Sequence, residues 1–492
     1  MSPTLFNLYT AKLHDTDTEE DTVTVQFADD FVKIVRGKSL TEARTLYGSY
    51  LAYGSAIYGD TPKTYKEMLA VSSRQCQRIA TGCTRTTPIN TLAALSNEEP
   101  LSLKRHYYAM KKITQHFKKN DEIAEQLRRL QPMPNFQKSK CFTFMEKVYL
   151  ENSETVQNVY ENYEMEEIPK IDVRPQIEKI PINKKKMSTS TMLQIAKEHI
   201  NTEYLFWRQI YTDASKSTEG CGIGVYESNS ETEISLRLEH PTSIMTAELI
   251  AIQIALREIP SLETDQFYRN VILTDSQAAC QLLLSCQFDK SWDHLTGEIC
   301  TNLYKTNTVL QWIPGHVGLN GNEHADRLAK TGVQANAIVV NKLLWVDAIR
   351  NYKQELSSAT NQWYRDIALR DGKGLKFFEM FSNFPIKPWF WTADLDGEEI
   401  RTLNRVLAGH DYSEYWLAKM KLVVNEDCEM CQEKNTTEHC LLKCMKYNHV
   451  RNHFHWENYN KLTEIAKNDK ELCCVEKLKQ ILKFIKMANL RM

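Results

Sequence analysis

Residues 208–226, RQIYTDASKSTEGCGIGVY, alternate apolar and polar side chains on either side of the turn SKSTEG. That alternation predicts two strands, Arg208–Ser215 and Cys221–Tyr226, joined as a hairpin. Downstream, Ile234–Leu238 reads as a third strand. Ile244–Arg257 reads as a helix, because Ala247, Ile250, Ala251, Ile254 and Ala255 share one face. Asn270–Leu273 is a short apolar strand, and Ser276 is placed to cap the helix QAACQLLL that follows it. Thr308–Ile313 is another strand and Asn322–Thr331 another helix. This order predicts an α/β domain over 204–335, built on a mixed five-stranded sheet with flanking helices.

Four acids fall at telling places in that pattern. Asp213 lies on the first strand, Glu248 in the first turns of a helix, Asp275 at the end of a central strand and Asp326 in the last helix. Each is set among apolar residues, where a carboxylate is costly to leave without a partner. Asp213 or Glu248 alone reads as a helix cap or a surface ion pair. Together they offer the oxygen ligands that hard divalent cations need. Two such cations about 4 Å apart activate a water and stabilise a leaving oxygen in phosphodiester hydrolysis. His316 lies in the glycine-rich loop of IPGHVGLNGNEHADRLAK (313–330), directly before the helix of Asp326. An imidazole, titrating near ~6.5 when unperturbed, suits proton transfer there.

The pieces YTDAS, TAELIAI, LTDSQAA and WIPGHVGLNGNEHADRLAK occur in that order across 208–334. This stretch resembles the type 1 ribonuclease H domain carried by non-LTR, jockey-like retrotransposons. The resemblance implies a nuclease that cuts the RNA strand of an RNA–DNA hybrid with two magnesium or manganese ions. It implies that Asp213 bridges both ions, that Glu248 and Asp275 hold the first and Asp326 the second, and that His316 assists product release or proton movement. All five positions are intact. The segment QFDKSWDH after Cys286 leaves no room for the lysine-rich handle helix with which some cellular members grip hybrid. Recognition is then expected from hybrid shape and 2′-hydroxyl contacts, with little sequence preference.

Upstream, Val23–Phe27 and Phe31–Val35 alternate like strands on either side of Ala28-Asp29-Asp30. With SPTLFNLYT at 2–10, the segment QFADDFV at 26–32 resembles the late palm motifs of a non-LTR reverse transcriptase, so 1–38 reads as a palm remnant. Residues 39–132 are patterned as helices, notably YKEMLAVSSRQCQRIATG and LSLKRHYYAMKKITQHF, and resemble the thumb and connection of the same elements. The resemblance places a third metal-binding aspartate on an earlier palm strand that this sequence lacks, so no polymerase activity is expected. Residues 133–203, with an acidic block and spaced prolines, read as a linker.

The region 340–492 is patterned mostly as helices and contains Cys428-x2-Cys431-x7-His439-x4-Cys444. Three thiols and one imidazole at this spacing point to one structural zinc ion, against a plain group of buried thiols, with Cys440 as a spare. The segment 428–444 resembles the zinc knuckle that follows ribonuclease H in the same retroelements, where it helps hold nucleic acid.

The net charge of -2 over 492 residues gives no global basic field, so a nucleic-acid partner has to be held by local patches or by metal ions. No apolar run approaches the ~18 residues of a membrane span, and no signal-peptide pattern opens the sequence. An intracellular protein with reduced cysteines and no membrane partner is expected; the sequence does not choose between nucleus and cytoplasm. The rival reading is a catalytically idle nucleic-acid-binding protein of retroelement origin.

Overall fold

The structure is a computed structural model that describes residues 59, 61–139, 141–164, 170–181, 187–258, 269–286, 291–467 and 474–492, and the backbone of 22–27 and 30–35. The two N-terminal strands form as expected: β1 (Thr22–Phe27) pairs antiparallel with β2 (Asp30–Val35), with Phe27 opposite Asp30. The rest of the proposed palm motif, including Asp29, lies outside the described residues. The chain divides into two compact units, one of residues 110–352 and one of 1–109 with 353–492.

The first unit is built on a seven-stranded sheet in the order β11-β7-β6-β5-β8-β10-β4. A separate antiparallel pair joins β3 (Asn162–Glu164) to β9 (Ser291–Asp293). The five central strands are those read from the sequence: β5 (Arg208–Lys216), β6 (Cys221–Glu227), β7 (Thr232–Leu238), β8 (Asn270–Thr274) and β10 (Thr308–Trp312). β5, β6 and β7 form an antiparallel meander, whereas β8 runs parallel to both β5 and β10. The count of five needs correction. β4 (Asp172–Arg174) adds to one edge beside β10, and β11 (Ile338–Val339) adds to the other beside β7. Neither is long enough to show an alternation, so neither is visible as a strand from pattern alone.

The reading of 133–203 as a linker also needs correction. Helix Phe144–Glu151 opens with a capping box between Thr143 and Glu146, and helix Thr189–Glu203 is capped by Ser188. Ile171, Val173, Ile177, Ile180, Met192, Ala196 and Ile200 all enter the core of the sheet unit. Prolines and charges between these apolar residues hide a covering layer for the edge strand.

Two glycines on β6 decide how one helix meets the sheet. Helix Asn320–Gly332 packs over β6, β5 and β7. A Cβ at Gly222 or Gly224 would collide with the backbone carbonyl oxygens of Ala329 and Ala325 on that helix. Glycine lets the helix axis approach the strand more closely than any side chain permits. Gly224 also pairs across the ladder with Asp213, so this close approach brings the helix of Asp326 down beside the strand of Asp213.

Apart from the β1–β2 pair, the regular structure of the second unit's described residues is helical. Its core gathers Leu92 and Leu95 from the N-terminal part with Tyr364, Phe377, Leu403, Leu407, Leu441, Ile481 and Phe484 from the C-terminal part. Residues 61–109 and 353–492 thus share one core, although in sequence they read as separate regions. Buried Asn404 ties the two stretches, donating to the Thr81 carbonyl at 3.0 Å and accepting from the Trp389 indole at 2.9 Å. Among the described residues no helix is long and apolar enough to cross a membrane.

The glycine contact gives a direct test. Gly224→Ala forces a methyl group into the helix backbone and is expected to cost about 1–3 kcal/mol, as overpacking does. The urea midpoint should fall, and amide protection in Asn320–Gly332 should weaken first. A variant as stable as the parent would show that the helix does not depend on this contact.

Candidate active site

Asp213 and Asp275 stand side by side because β5 and β8 are parallel, with Thr212 opposite Thr274. Each aspartate follows its threonine, at the same end of the two central strands. Glu248 reaches them from helix Ile244–Glu258, which packs on β5 and β6. A carboxylate oxygen from each of Asp213, Glu248 and Asp275 lies within 4.8 Å of the others. Asp213 and Glu248 are buried, and Asp275 is half-buried.

The electrostatics of this trio are unfavourable in the absence of a cation. Burial first, and then the charge of Asp275, push the Asp213 carboxyl up to about 7, against the opposing pull of the Ala214 N–H at 2.7 Å. Burial, and then Asp213 and Asp275, hold Glu248 well above the usual carboxylate range. The Oε2 of Glu248 is buried with no hydrogen-bond partner. Carboxylates that converge and repel one another, one of them with a buried oxygen that has no donor, are the ligand set a hard divalent cation requires. The residues present therefore fit such an ion.

Asp326 does not join the trio within that distance. It is close enough to raise the Asp213 carboxyl, but its own carboxylate accepts from Lys330 Nζ at 2.6 Å, one helical turn on. His316 is exposed on the loop between β10 and the Asp326 helix and adopts φ 56°, in the left-handed region. Its neighbour Gly315 lies directly against Asp275, where a Cβ would collide with Oδ2. The loop is held over the third carboxylate by that absence of a side chain. The Asn322 amide also reaches Asp275 Oδ2, at 3.4 Å. Sequence reading missed Lys330 and Asn322. The i,i+4 spacing from Asp326 marks Lys330, but nothing local marks Asn322.

The second cluster lies in the helical unit. Ligand atoms of Cys428, Cys431, His439 and Cys444 all lie within 4.8 Å of one another. Cys428 Sγ is 3.7 Å and Cys431 Sγ 4.0 Å from Cys444 Sγ. The knuckle is a tight turn in which Gln432, at φ 56°, donates its N–H to the Cys428 carbonyl. Burial raises the Cys428 thiol, but the N–H groups of Cys431 and Met430 and the His439 ring outweigh it and bring it down to about 7. Burial keeps Cys444 up at about 11 despite the Lys446 N–H. His439 Nδ1 meets Glu433 at 3.2 Å, whereas its buried Nε2 has no partner. A histidine oriented by a carboxylate, with its other nitrogen unpartnered among thiols, fits a thiolate-binding metal ion. Buried Arg451 donates to the carbonyls of Leu441, Cys440 and Cys444, which fixes the end of the short helix carrying His439. Cys440 lies outside the set of four, with its thiol 3.1 Å from Asn435 Oδ1.

The ribonuclease H family model, RNase H, matches residues 208–334. An RNase H domain therefore occupies the centre of the chain, and the trio lies within it. Among solved structures, RNase H1 from the halophilic archaeon Halobacterium salinarum NRC-1 is similar at 17% identity, covering 26% of this chain and 97% of that one, with a TM-score of 0.21. LC11-RNase H1, isolated from compost by a metagenomic approach and solved in complex with an RNA/DNA hybrid, is similar at 20% identity, covering 26% and 96%, with a TM-score of 0.21.

The raised carboxyls make stability depend on pH in a definite direction. Their folded-state values lie above the unfolded values of ~4, so between about 4 and 7 the cation-free folded protein binds more protons than the unfolded chain. Their contribution is present below the unfolded value and is lost as the pH rises through the folded one. In chelator, Asp213→Asn should therefore gain on wild type between pH 5 and pH 8, by roughly 2–4 °C in Tm. Magnesium should reverse the order by stabilising wild type alone. A Tm difference that ignores both pH and magnesium would contradict the repulsion described.

Proposed function

We propose that the RNase H domain hydrolyses the RNA strand of an RNA–DNA hybrid. The observation that carries this reading is the convergence of Asp213, Glu248 and Asp275 within 4.8 Å, inside the segment that the family model matches. Two divalent cations, magnesium or manganese, would be held by these three and Asp326, and would supply an activated water and charge stabilisation at the leaving oxygen. The chain does the rest. Asp213, on the central strand, faces both Glu248 and Asp326 and is the residue able to serve two ions. The packing of β5, β8 and the Glu248 helix keeps the carboxylates in register. His316, on an exposed loop over Asp275, can move a proton or ease product out. Hybrid would be read by shape and 2′-hydroxyl groups, with little sequence preference.

In this reading Cys428, Cys431, His439 and Cys444 bind one zinc ion, and the knuckle they form helps to grip nucleic acid. The order of palm-like motifs, RNase H domain and cysteine knuckle supports descent from a non-LTR retrotransposon. One observation favours the rival, an idle binding protein: Lys330 occupies the carboxylate of Asp326, which would otherwise complete the quartet.

Purified protein with magnesium is expected to cut RNA in a labelled hybrid and to spare single- and double-stranded RNA. Asp275→Asn should abolish cleavage while leaving the fold and hybrid binding in place. Hybrid binding without cleavage by wild type would favour the rival instead.

Metal analysis should find one zinc per chain, lost in Cys431→Ser. Thiolate-bound zinc contributes on the order of 10 kcal/mol to the folding of small domains, so chelation should loosen residues 425–450. A full zinc complement in the variant would remove Cys431 from the ligand set.

A further inference from the structure

The matched RNase H segment ends at Gln334, yet the helix that carries Glu248 is anchored by residues beyond it. After the Asp326 helix the chain returns as a strap along the segment leading into the Glu248 helix. The carbonyls of Ala337 and Val339 accept from the N–H groups of Arg237 (2.9 Å) and Glu239 (3.0 Å). Buried Asn341 then brackets His240, accepting from its N–H at 2.9 Å and donating to its carbonyl at 3.3 Å.

The strap ends on Asp347, whose side chain is 1% exposed. One carboxylate oxygen accepts from the Ser243 N–H at 3.1 Å and from Arg350 at 2.6 Å. The other accepts from the Ser243 hydroxyl at 3.3 Å and from Thr246 Oγ1 at 2.6 Å. Ser243 is in turn the cap of the helix, accepting from the N–H groups of Thr246 and Ala247 through its hydroxyl and carbonyl. A buried anion thus sits on the first turn of the helix, where the helix dipole favours negative charge and where N–H groups otherwise lack acceptors. Glu248 follows two residues after Thr246.

We propose that Asp347 is a positioning residue that fixes the register of this first turn, and with it the Glu248 carboxylate against Asp213 and Asp275. The inference rests on the reading of the trio as a divalent-cation site. It makes the strap 335–347 a working part of the catalytic unit. A role confined to stability would lower Tm and leave metal affinity alone. A positioning role changes how tightly the trio holds an ion.

The test uses the full chain and Mn2+ as the probe. Manganese binding is measured by calorimetry for wild type, Asp347→Asn and Thr246→Val, at a temperature where all three are folded by circular dichroism. Asp347→Asn keeps the shape but turns a donor toward donors. It should weaken the tighter Mn2+ site by roughly 10–100-fold, as loss of partners behind metal ligands does. On hybrid, kcat and the apparent metal requirement should change together while KM stays level. Thr246→Val removes the hydroxyl's bonds to Asp347 and Ser243 but leaves the buried anion in place, and should give a smaller loss of the same kind. Wild-type Mn2+ affinity in both folded variants would overturn the proposal. Failure of wild type to cut hybrid, with the Mn2+ loss still present, would overturn the substrate assignment and leave the positioning role standing.

Discussion

Three carboxylates brought within 4.8 Å of one another in a mostly buried place repel strongly, and nothing in that contact favours folding. Something else has to force them together. The force comes from the parallel pairing of β5 with β8 and from the apolar face of helix Ile244–Glu258, most of whose residues are buried. Fully buried Ile210, Ile223, Ile272 and Leu310 hold the central strands in a single register. A one-residue slip of β8 against β5 would turn Asp275 to the opposite face and dissolve the site. The packing of this unit is best understood as the frame that makes an otherwise unstable charge cluster tolerable.

Much of that frame is legible in the sequence. The five central strands show either clean alternation or short apolar runs bounded by turns, and the helices of Glu248 and Asp326 show helical spacing, so their bounds differ from the structure by only a residue or two. The edge strands are not legible, since two or three residues carry no period. The segment 170–203 misleads for a different reason. Ile171 and Val173 alternate, but the proline-rich and charged residues around them resemble a solvated linker, and only the exposed edge beside β10 gives those side chains somewhere to go.

The same division holds at the site. Asp213, Glu248 and Asp275 are recognisable because each sits at a fixed place in its own strand or helix. Asp347 is invisible, because the groups it serves are 101 and 104 residues away in the chain. The glycines of β6 fall between these cases. CGIG reads as a weak strand until a helix is laid across it, and only then does each missing side chain acquire a reason.

The cysteine cluster shows how far spacing goes before tertiary structure takes over. Spacing alone names four ligands and a spare, and the structure separates them: Cys440 points to Asn435, while the other four side chains converge. What spacing cannot show is the support around them. Glu433 orients the imidazole, and Arg451 closes three carbonyls at the end of the helix, one of them that of Cys444 itself. A guanidinium buried beside a cluster of thiols is costly unless its donors are used, and here three backbone acceptors use them. The Arg451 side chain also lies where positive charge favours the thiolate form. The thiols differ accordingly: Cys428 is drawn down to about 7 by N–H donors, while burial holds Cys444 near 11. A cation entering such a site meets one thiol ready to lose its proton and another that gives it up only on binding. Metal uptake should therefore release protons, and affinity should rise with pH through the neutral range.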